Sequence, residues 1–463
     1  MSVEPVPARP EVSPPAPWSF PPVTETRLPT GLAVRTVDLP GQHVVAVRLA
    51  VPGTLQAEPR DLEGVAAIMA RCLDEGTTRH TAEQMAERIE QDGIALAAGV
   101  GERGLVVQLD VTGDRLESAL QILAECLSEA TFPEAEVTRA IRARLSDIEH
   151  EQADAGSRAA TQFQATYLRA SERTSRPAGG TATTVRRVSA ADVREFYAAT
   201  VVPHQATLVV AGDLRGMPRT PEALAAQTLA GWAGSGADPA RNPGSTGPRP
   251  DPRAPDAARI VLVDRPGSPQ TELYLGRPGP DRRTPHGWGA YQVLAFLLGG
   301  SPQARVDAVL REERGWTYGM RVGFAPRRSG GVSVVSGAVR ADATVPALRV
   351  LDDVLSVTGT ELSEAEVRHA ADFVARTAPG RYATADAVAD QLVRLALDEL
   401  DADTVDDTLA QVLALRRDEV AAAWEEVQAG PPWTVVLVGE AEHAPVAELE
   451  QLGWGPVVVL PAD

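Results

Sequence analysis

The chain has 463 residues, 44 of them basic and 63 acidic, for a net charge of −19, a balance that opposes nucleic acid and anionic membrane as partners. That length exceeds one ordinary core and points to two or more domains. A hydrophobic share of 44% supports a sizeable interior, but aromatic residues make up only 4%, so Ala, Val and Leu have to fill it.

Residues 1–24 are proline-rich and lack a basic-then-apolar order, so they read as a disordered tail rather than a secretory signal. No apolar run approaches ~20 residues, and no membrane span is expected. Cys72 and Cys126 lie in apolar helical patterns without CxxC spacing. They read as buried thiols of a reduced compartment, and the expected location is cytoplasmic.

From Glu25, Leu28, Leu32 and Val34 lead into the alternating run His43–Val51, which reads as a hairpin. Helices are expected over 61–74, over 81–91 behind a capping Thr81, and over 115–128, with strands at 94–98 and 105–111 before the last of these. Longer helices follow over 134–152, 157–170 and 190–198, and the half closes on the strand ATLVVAGDL. Residues 234–257 hold many Pro, Gly, Asp and Arg and read as a linker between a domain at 25–233 and another at 258–463. The second domain repeats the grammar: strands at 260–263 and 271–275, a helix over 288–298, strands near Trp316 and Val332, a helix over 344–357, more helices over 364–428, and the strand WTVVLVGE. The parallel endings ATLVVAGDL and TVVLVGE suggest an internal duplication. Strands alternating with long helices while keeping hairpin neighbours argue for an α+β fold with a largely antiparallel sheet.

One stretch stands apart, Leu298–Met320, LGGSPQARVDAVLREERGWTYGM. A Gly-Gly-Ser turn leads into a short helix, Gly315 breaks it, and a strand is expected from Trp316. Arg311 and Tyr318 thereby leave a helix end and the following strand. A guanidinium can grip a carbonyl or carboxylate in two-pronged fashion, and a phenol can donate to a developing oxyanion, so the pair suits one pocket. On spacing alone, Arg311 reads equally as a solvated helix residue and Tyr318 as a half-buried strand aromatic.

This stretch resembles the carboxy-terminal signature of the pitrilysin/insulinase-type inverzincin peptidases, the group that includes the mitochondrial processing peptidase, and the segment order agrees along about 430 residues. The resemblance implies two homologous halves of the processing-peptidase (LuxS-like metallohydrolase) type, joined by the linker into a clam-like chain. It implies substrate-binding roles for Arg311 and Tyr318 opposite a zinc site. It also implies that Gly299 and Gly300 let backbone approach closely, that Gln270 in DRPGSPQTEL faces the chamber or else sits in a surface turn, and that the strand near Ile94–Val100 adds a peptide by main-chain hydrogen bonds.

Active members of that family carry H-x-x-E-H on the first helix, two imidazoles one turn apart with a glutamate that activates water. Aligned on GVAAIMARCLDEGT, the two histidine positions hold Ala67 and Arg71 and the glutamate position holds Ala70. The third ligand position falls at Asp147. One carboxylate does not hold catalytic zinc. The seven histidines, His43, His80, His150, His204, His286, His369 and His443, show no HxxH or HxxxH spacing, and the cluster Glu149, His150 and Glu151 reads as a solvated helix face. No GxSxG motif is present.

The expectation is therefore a chain that binds no cofactor of its own. It would serve as the non-zinc subunit of a heterodimeric metallopeptidase, lending Arg311 and Tyr318 to a homologous partner that carries H-x-x-E-H and the zinc, with a peptide or precursor leader segment as substrate. The alternatives are a structural or peptide-binding member of the same family and a self-paired module that sequesters peptides.

Overall fold

The computed structural model describes residues 13–232 and 251–461, except 283, 285, 286, 328 and 329. The first half is built on a six-stranded sheet of β1 (Thr24–Arg27), β2 (Ala33–Asp38), β3 (Val44–Pro52), β4 (Ala95–Gly101), β5 (Gly104–Thr112) and β6 (Thr207–Gly212), in the order β1-β2-β6-β3-β5-β4. The second sheet uses β7 (Ile260–Asp264), β8 (Gln270–Gly279), β9 (Arg321–Ala325), β10 (Gly331–Arg340), β11 (Thr434–Gly439) and β12 (Val457–Leu460), in the order β12-β7-β11-β8-β10-β9.

The two sheets repeat each other. In each, a parallel pair (β2 with β6, β7 with β11) is followed by antiparallel neighbours (β6-β3-β5-β4, β11-β8-β10-β9). The endings ATLVVAGDL and TVVLVGE are β6 and β11, which occupy equivalent central positions, so the duplication is one of topology. Both are almost wholly buried, as strands covered on two faces must be. The outermost strand differs in origin: β1 precedes β2 and runs antiparallel to it, whereas β12 ends the chain and runs parallel to β7. The run His43–Val51, expected to be a hairpin, is the single strand β3, and the antiparallel pair of the first strands is β1 with β2. β6 lies between β2 and β3, so those two strands, adjacent in sequence, are not partners.

Helices of the first half include α1 (Val65–Arg71), α2 (Ala82–Gln91), α3 (Leu116–Glu129), α4 (Glu134–Ala153), α5 (Ala155–Tyr167) and α6 (Ala190–Thr200). Those of the second are α7 (Trp288–Gly299), α8 (Thr344–Glu361), α9 (Glu364–Arg381), α10 (Ala385–Leu397), α11 (Thr404–Ala414) and α12 (Arg417–Gln428). The capping at α2 is a full box, Thr81 with Gln84. Among the described residues no helix is long and apolar enough to cross a membrane.

Alternation along β3 serves two cores. Val45, Val47, Leu49 and Val51 pack with Ile68, Met69, Leu120 and Leu123 of the same half. Ala46 and Ala50 point the other way, with Val37, Val209 and Ala211, against Val388, Leu392 and Leu395 of α10 from the second half. The exchange is reciprocal. Ala159, Phe163 and Tyr167 of α5 from the first half pack on Val261, Val263, Val436 and Val438 of the second sheet. Gly276 makes this possible: a Cβ there would lie 2.2 Å from Phe163 Cζ. Arg48, buried on β3, reinforces the other crossing by binding Asp110 of its own half and Asp390 of α10, each at 2.8 Å.

Two expectations about irregular segments change. Of the tail, residues 13–24 are described, and they are docked rather than free. Phe20 is buried and donates its N–H to Asp406 at 2.7 Å, Trp18 stacks on Tyr382, and Thr24 opens β1. Of the linker, residues 234–250 lie outside the described residues. Arg253 and Ala257 are buried, and Arg253 donates to the Pro432 carbonyl at 2.9 Å.

Candidate functional site

The first helix is held at its amino end by buried charge. The N–H groups of Gly64 and Ala66 donate to Glu58 at 3.0 and 2.8 Å, satisfying orphan donors of α1. Arg173 binds the same carboxylate at 2.6 Å. Burial pushes the Glu58 carboxyl above its ordinary range against the opposing pull of Arg173.

On the body of α1, Ala67, Ala70 and Arg71 share one face, and Asp147 of α4 faces them. The Arg71 guanidinium donates to the Asp147 carboxylate, so the second histidine position and the third ligand position are joined by an ion pair. These residues do not fit zinc. They offer one carboxylate, already neutralised by a fixed cation, and two methyl groups where a ligand and a base are required. No group of three or more His, Cys, Asp or Glu side chains among the described residues is arranged for a metal. At the Glu149, His150 and Glu151 cluster, Glu149 and His150 are exposed and Glu151 accepts two bonds from Arg144, at 2.5 and 2.8 Å. His286 lies outside the described residues.

In the second half, Arg305–Asp307 is helical and continues as a π-helical stretch, Ala308–Glu313. Such wide turns cluster at functional positions. It ends at Gly315, φ 64°, where left-handed backbone favours glycine. The chain is pinned just before and two residues after Tyr318: Thr317 donates its hydroxyl to the Ala338 carbonyl, and Met320 N–H donates to the buried carboxylate of Asp307, both at 2.7 Å. Tyr318 between them is 92% exposed. The strand begins at Arg321 rather than at Trp316, and Tyr318 is not the half-buried strand aromatic of the alternative reading. Arg311 is also exposed, with Glu312 3.6 Å away. Among the described residues no hydrogen bond links Arg311 to Tyr318, and the interior uses neither.

Gly299 and Gly300 are accounted for by packing within this half. A Cβ at Gly299 would lie 2.4 Å from Val322 N, and one at Gly300 2.8 Å from Phe296 Cα. Gln270 is exposed at the start of β8, on the strand face it shares with Glu272 and Tyr274. A groove of about 250 Å³ lies between Glu272, Tyr274, Gly319 and Arg321 of the second half and Gly156 and Ala159 of α5. Burial pushes the Glu272 carboxyl up, and Asp154 adds to the effect. Sequence reasoning passed over Glu272. Its period-two spacing from Gln270 is the signal that could have found it. Among the described residues β4 pairs only with β5, and it carries no charged side chain on its alternately exposed edge.

Comparison with known proteins agrees with this architecture. The description "Insulinase (Peptidase family M16)" matches residues 33–174, and "Peptidase M16 inactive domain" matches residues 187–373. An uncharacterized zinc protease of Streptomyces coelicolor is 25% identical over 419 residues, 90% of this chain and 89% of that protein. One of Mycobacterium leprae is 25% identical over 347 residues, covering 75% and 76%. Among solved structures, a peptidase M16 inactive domain from Pseudomonas fluorescens superposes with a TM-score of 0.81 at 23% identity, over 90% of this chain and 98% of that one. A protease from Helicobacter pylori gives 0.80 at 14% identity, over 91% and 100%. Matched in both halves by descriptions of one family and built as two homologous halves on its fold, the chain belongs to the insulinase (M16) peptidase family.

Proposed function

We propose that this chain is the non-zinc subunit of a two-chain metallopeptidase. A homologous partner with an intact H-x-x-E-H would supply the zinc-activated water, which attacks the scissile carbonyl. Arg311 would hold the substrate backbone or a carboxylate, and the Tyr318 hydroxyl would donate to the oxyanion as it forms. Peptides or precursor leader segments are the substrates that suit such a site. The observation that carries this reading is the contrast between the halves: Arg71 closes the former ligand face, while Tyr318 is 92% exposed between two pinned neighbours.

The test is to mix the purified chain with an H-x-x-E-H homologue and follow cleavage of an unstructured peptide. The mixture should cleave, the chain alone should not, and Tyr318→Phe should lower the rate of the mixture by ~10²-fold, the usual cost of one oxyanion donor. Equal rates with Tyr318→Phe and wild type would remove the catalytic role.

A second reading, a structural or peptide-binding member without any role in cleavage, draws support from the same Arg71–Asp147 pair, because the ligand face is filled rather than merely emptied. Under it, peptide binds the chain but the partner's rate does not respond to Tyr318.

A further inference from the structure

A cavity of about 400 Å³ opens between the loop after β3, the start of α1 and one side of α6. With about 3.6 residues per turn, Val65 on its wall falls on the side of α1 opposite Ala67, Ala70 and Arg71. The cavity is therefore separate from the former ligand face, and no residue of the Arg311–Tyr318 region lines it. Its size falls within the range of small-molecule sites, which are apolar with a few placed polar groups.

The lining has that character. Leu62, Val65, Phe196 and Val202 supply apolar wall. The His204 Nε2 is buried and has no hydrogen-bond partner among the described residues, a state that costs free energy unless a ligand or water satisfies it. Glu195 on α6 lines the mouth with an exposed carboxylate, and among the described residues no Lys or Arg lines the cavity to neutralise it. Asp192, one turn earlier, carries a second negative charge, although its Oδ2 already accepts the Ser189 hydroxyl at 2.5 Å.

We propose that this cavity binds a small organic cation with an apolar body, such as an alkylammonium. The hydrocarbon displaces water from the Leu62–Phe196 wall. The ammonium meets the exposed Glu195 carboxylate at the mouth.

Titration calorimetry on the full chain tests this with hexylammonium chloride, sodium hexanoate and 1-hexanol, three probes sharing one apolar body. Hexylammonium should bind saturably and raise the melting temperature. Hexanol should bind about tenfold more weakly, as expected from losing a charge-assisted contact, and hexanoate should not bind. Glu195→Gln should weaken hexylammonium by about tenfold. Ala199→Phe, at an exposed α6 position on the cavity wall, should abolish binding without altering the fold. The proposal is overturned if hexylammonium does not saturate, if hexanoate or hexanol binds as tightly, or if Ala199→Phe binds like wild type.

Discussion

Arg71 and Asp147 lie 76 residues apart, and the guanidinium of one binds the carboxylate of the other across the α1–α4 contact. In the sequence, Arg71 aligns with the second ligand position of the family's metal motif and Asp147 with the third. Their contact brings the two aligned positions together in one ion pair. Both side chains are well exposed, 40% and 38%. The pair is therefore worth at most about 1 kcal/mol, the upper end for exposed ion pairs, and Arg71→Met should leave the melting temperature nearly unchanged.

If α1 and α4 still hold the backbone of a ligand site, the ligands can be restored. The variant Ala67→His, Ala70→Glu, Arg71→His, Asp147→Glu should take up one zinc ion per chain, measured by elemental analysis after dialysis. A folded quadruple variant that stays metal-free would show that the helices have drifted from ligating geometry.

The crossing of helices between halves predicts an unusual sensitivity at one glycine. Gly276→Ala places a methyl 2.2 Å from the Phe163 ring, which is 2% exposed and stacked on Tyr167. Overpacking of this kind costs about 1–3 kcal/mol. Chemical denaturation should register that loss, with Gly323→Ala, where a Cβ would meet nothing within 4 Å, as the control.

Arg48 predicts a second cross-half effect. Arg48→Ala strands Asp110 and Asp390, each about a third exposed and therefore partly rehydrated. The loss should fall near the low end for broken buried pairs, about 3 kcal/mol. Arg48→Met, combined with Asp110→Asn and Asp390→Asn, should recover part of it. A melting temperature unchanged by Arg48→Ala would mean that α10 docks through its apolar face alone.

Acid should weaken the first half through Glu125. Burial alone would raise its carboxyl, but hydrogen bonds from His80, Thr77 and Arg88 outweigh burial and hold it below the ordinary range. A lowered folded-state value means that the stabilisation is present above the unfolded carboxyl's value and is lost as pH falls through the lowered one. Denaturation midpoints taken from pH 7 down past the usual Glu range of about 4.3 should fall more steeply for wild type than for Glu125→Gln.

Much of this fold is legible locally. Thr81, Ser189 and Ser363 each cap a helix, and the apolar runs of β6 and β11 mark central strands because both their faces are covered. What is not legible is long-range. Nothing in Val34 or Val45 says that β6 will insert between their strands, and α5 reads as an ordinary amphipathic helix although its apolar face belongs to the other half's sheet. Gly276 gives no sign of being a docking point until Phe163 is seen against it. At the candidate site, Arg311 and Tyr318 are visible as residues of a motif. The exposure of Tyr318 depends on hydrogen bonds made by its neighbours to Ala338 and Asp307, and Glu272 becomes notable only when α5 is placed beside it.

The proposed function divides the work: Arg311 and Tyr318 would grip the peptide, and the cutting centre would belong to the partner chain. Zinc content of the purified wild-type chain, measured after equilibration with excess zinc and removal of loosely held ions, tests that division most directly. The account predicts substoichiometric metal and no peptide hydrolysis by the chain alone. One tightly held zinc ion per chain, with hydrolysis that a chelator abolishes, would contradict it.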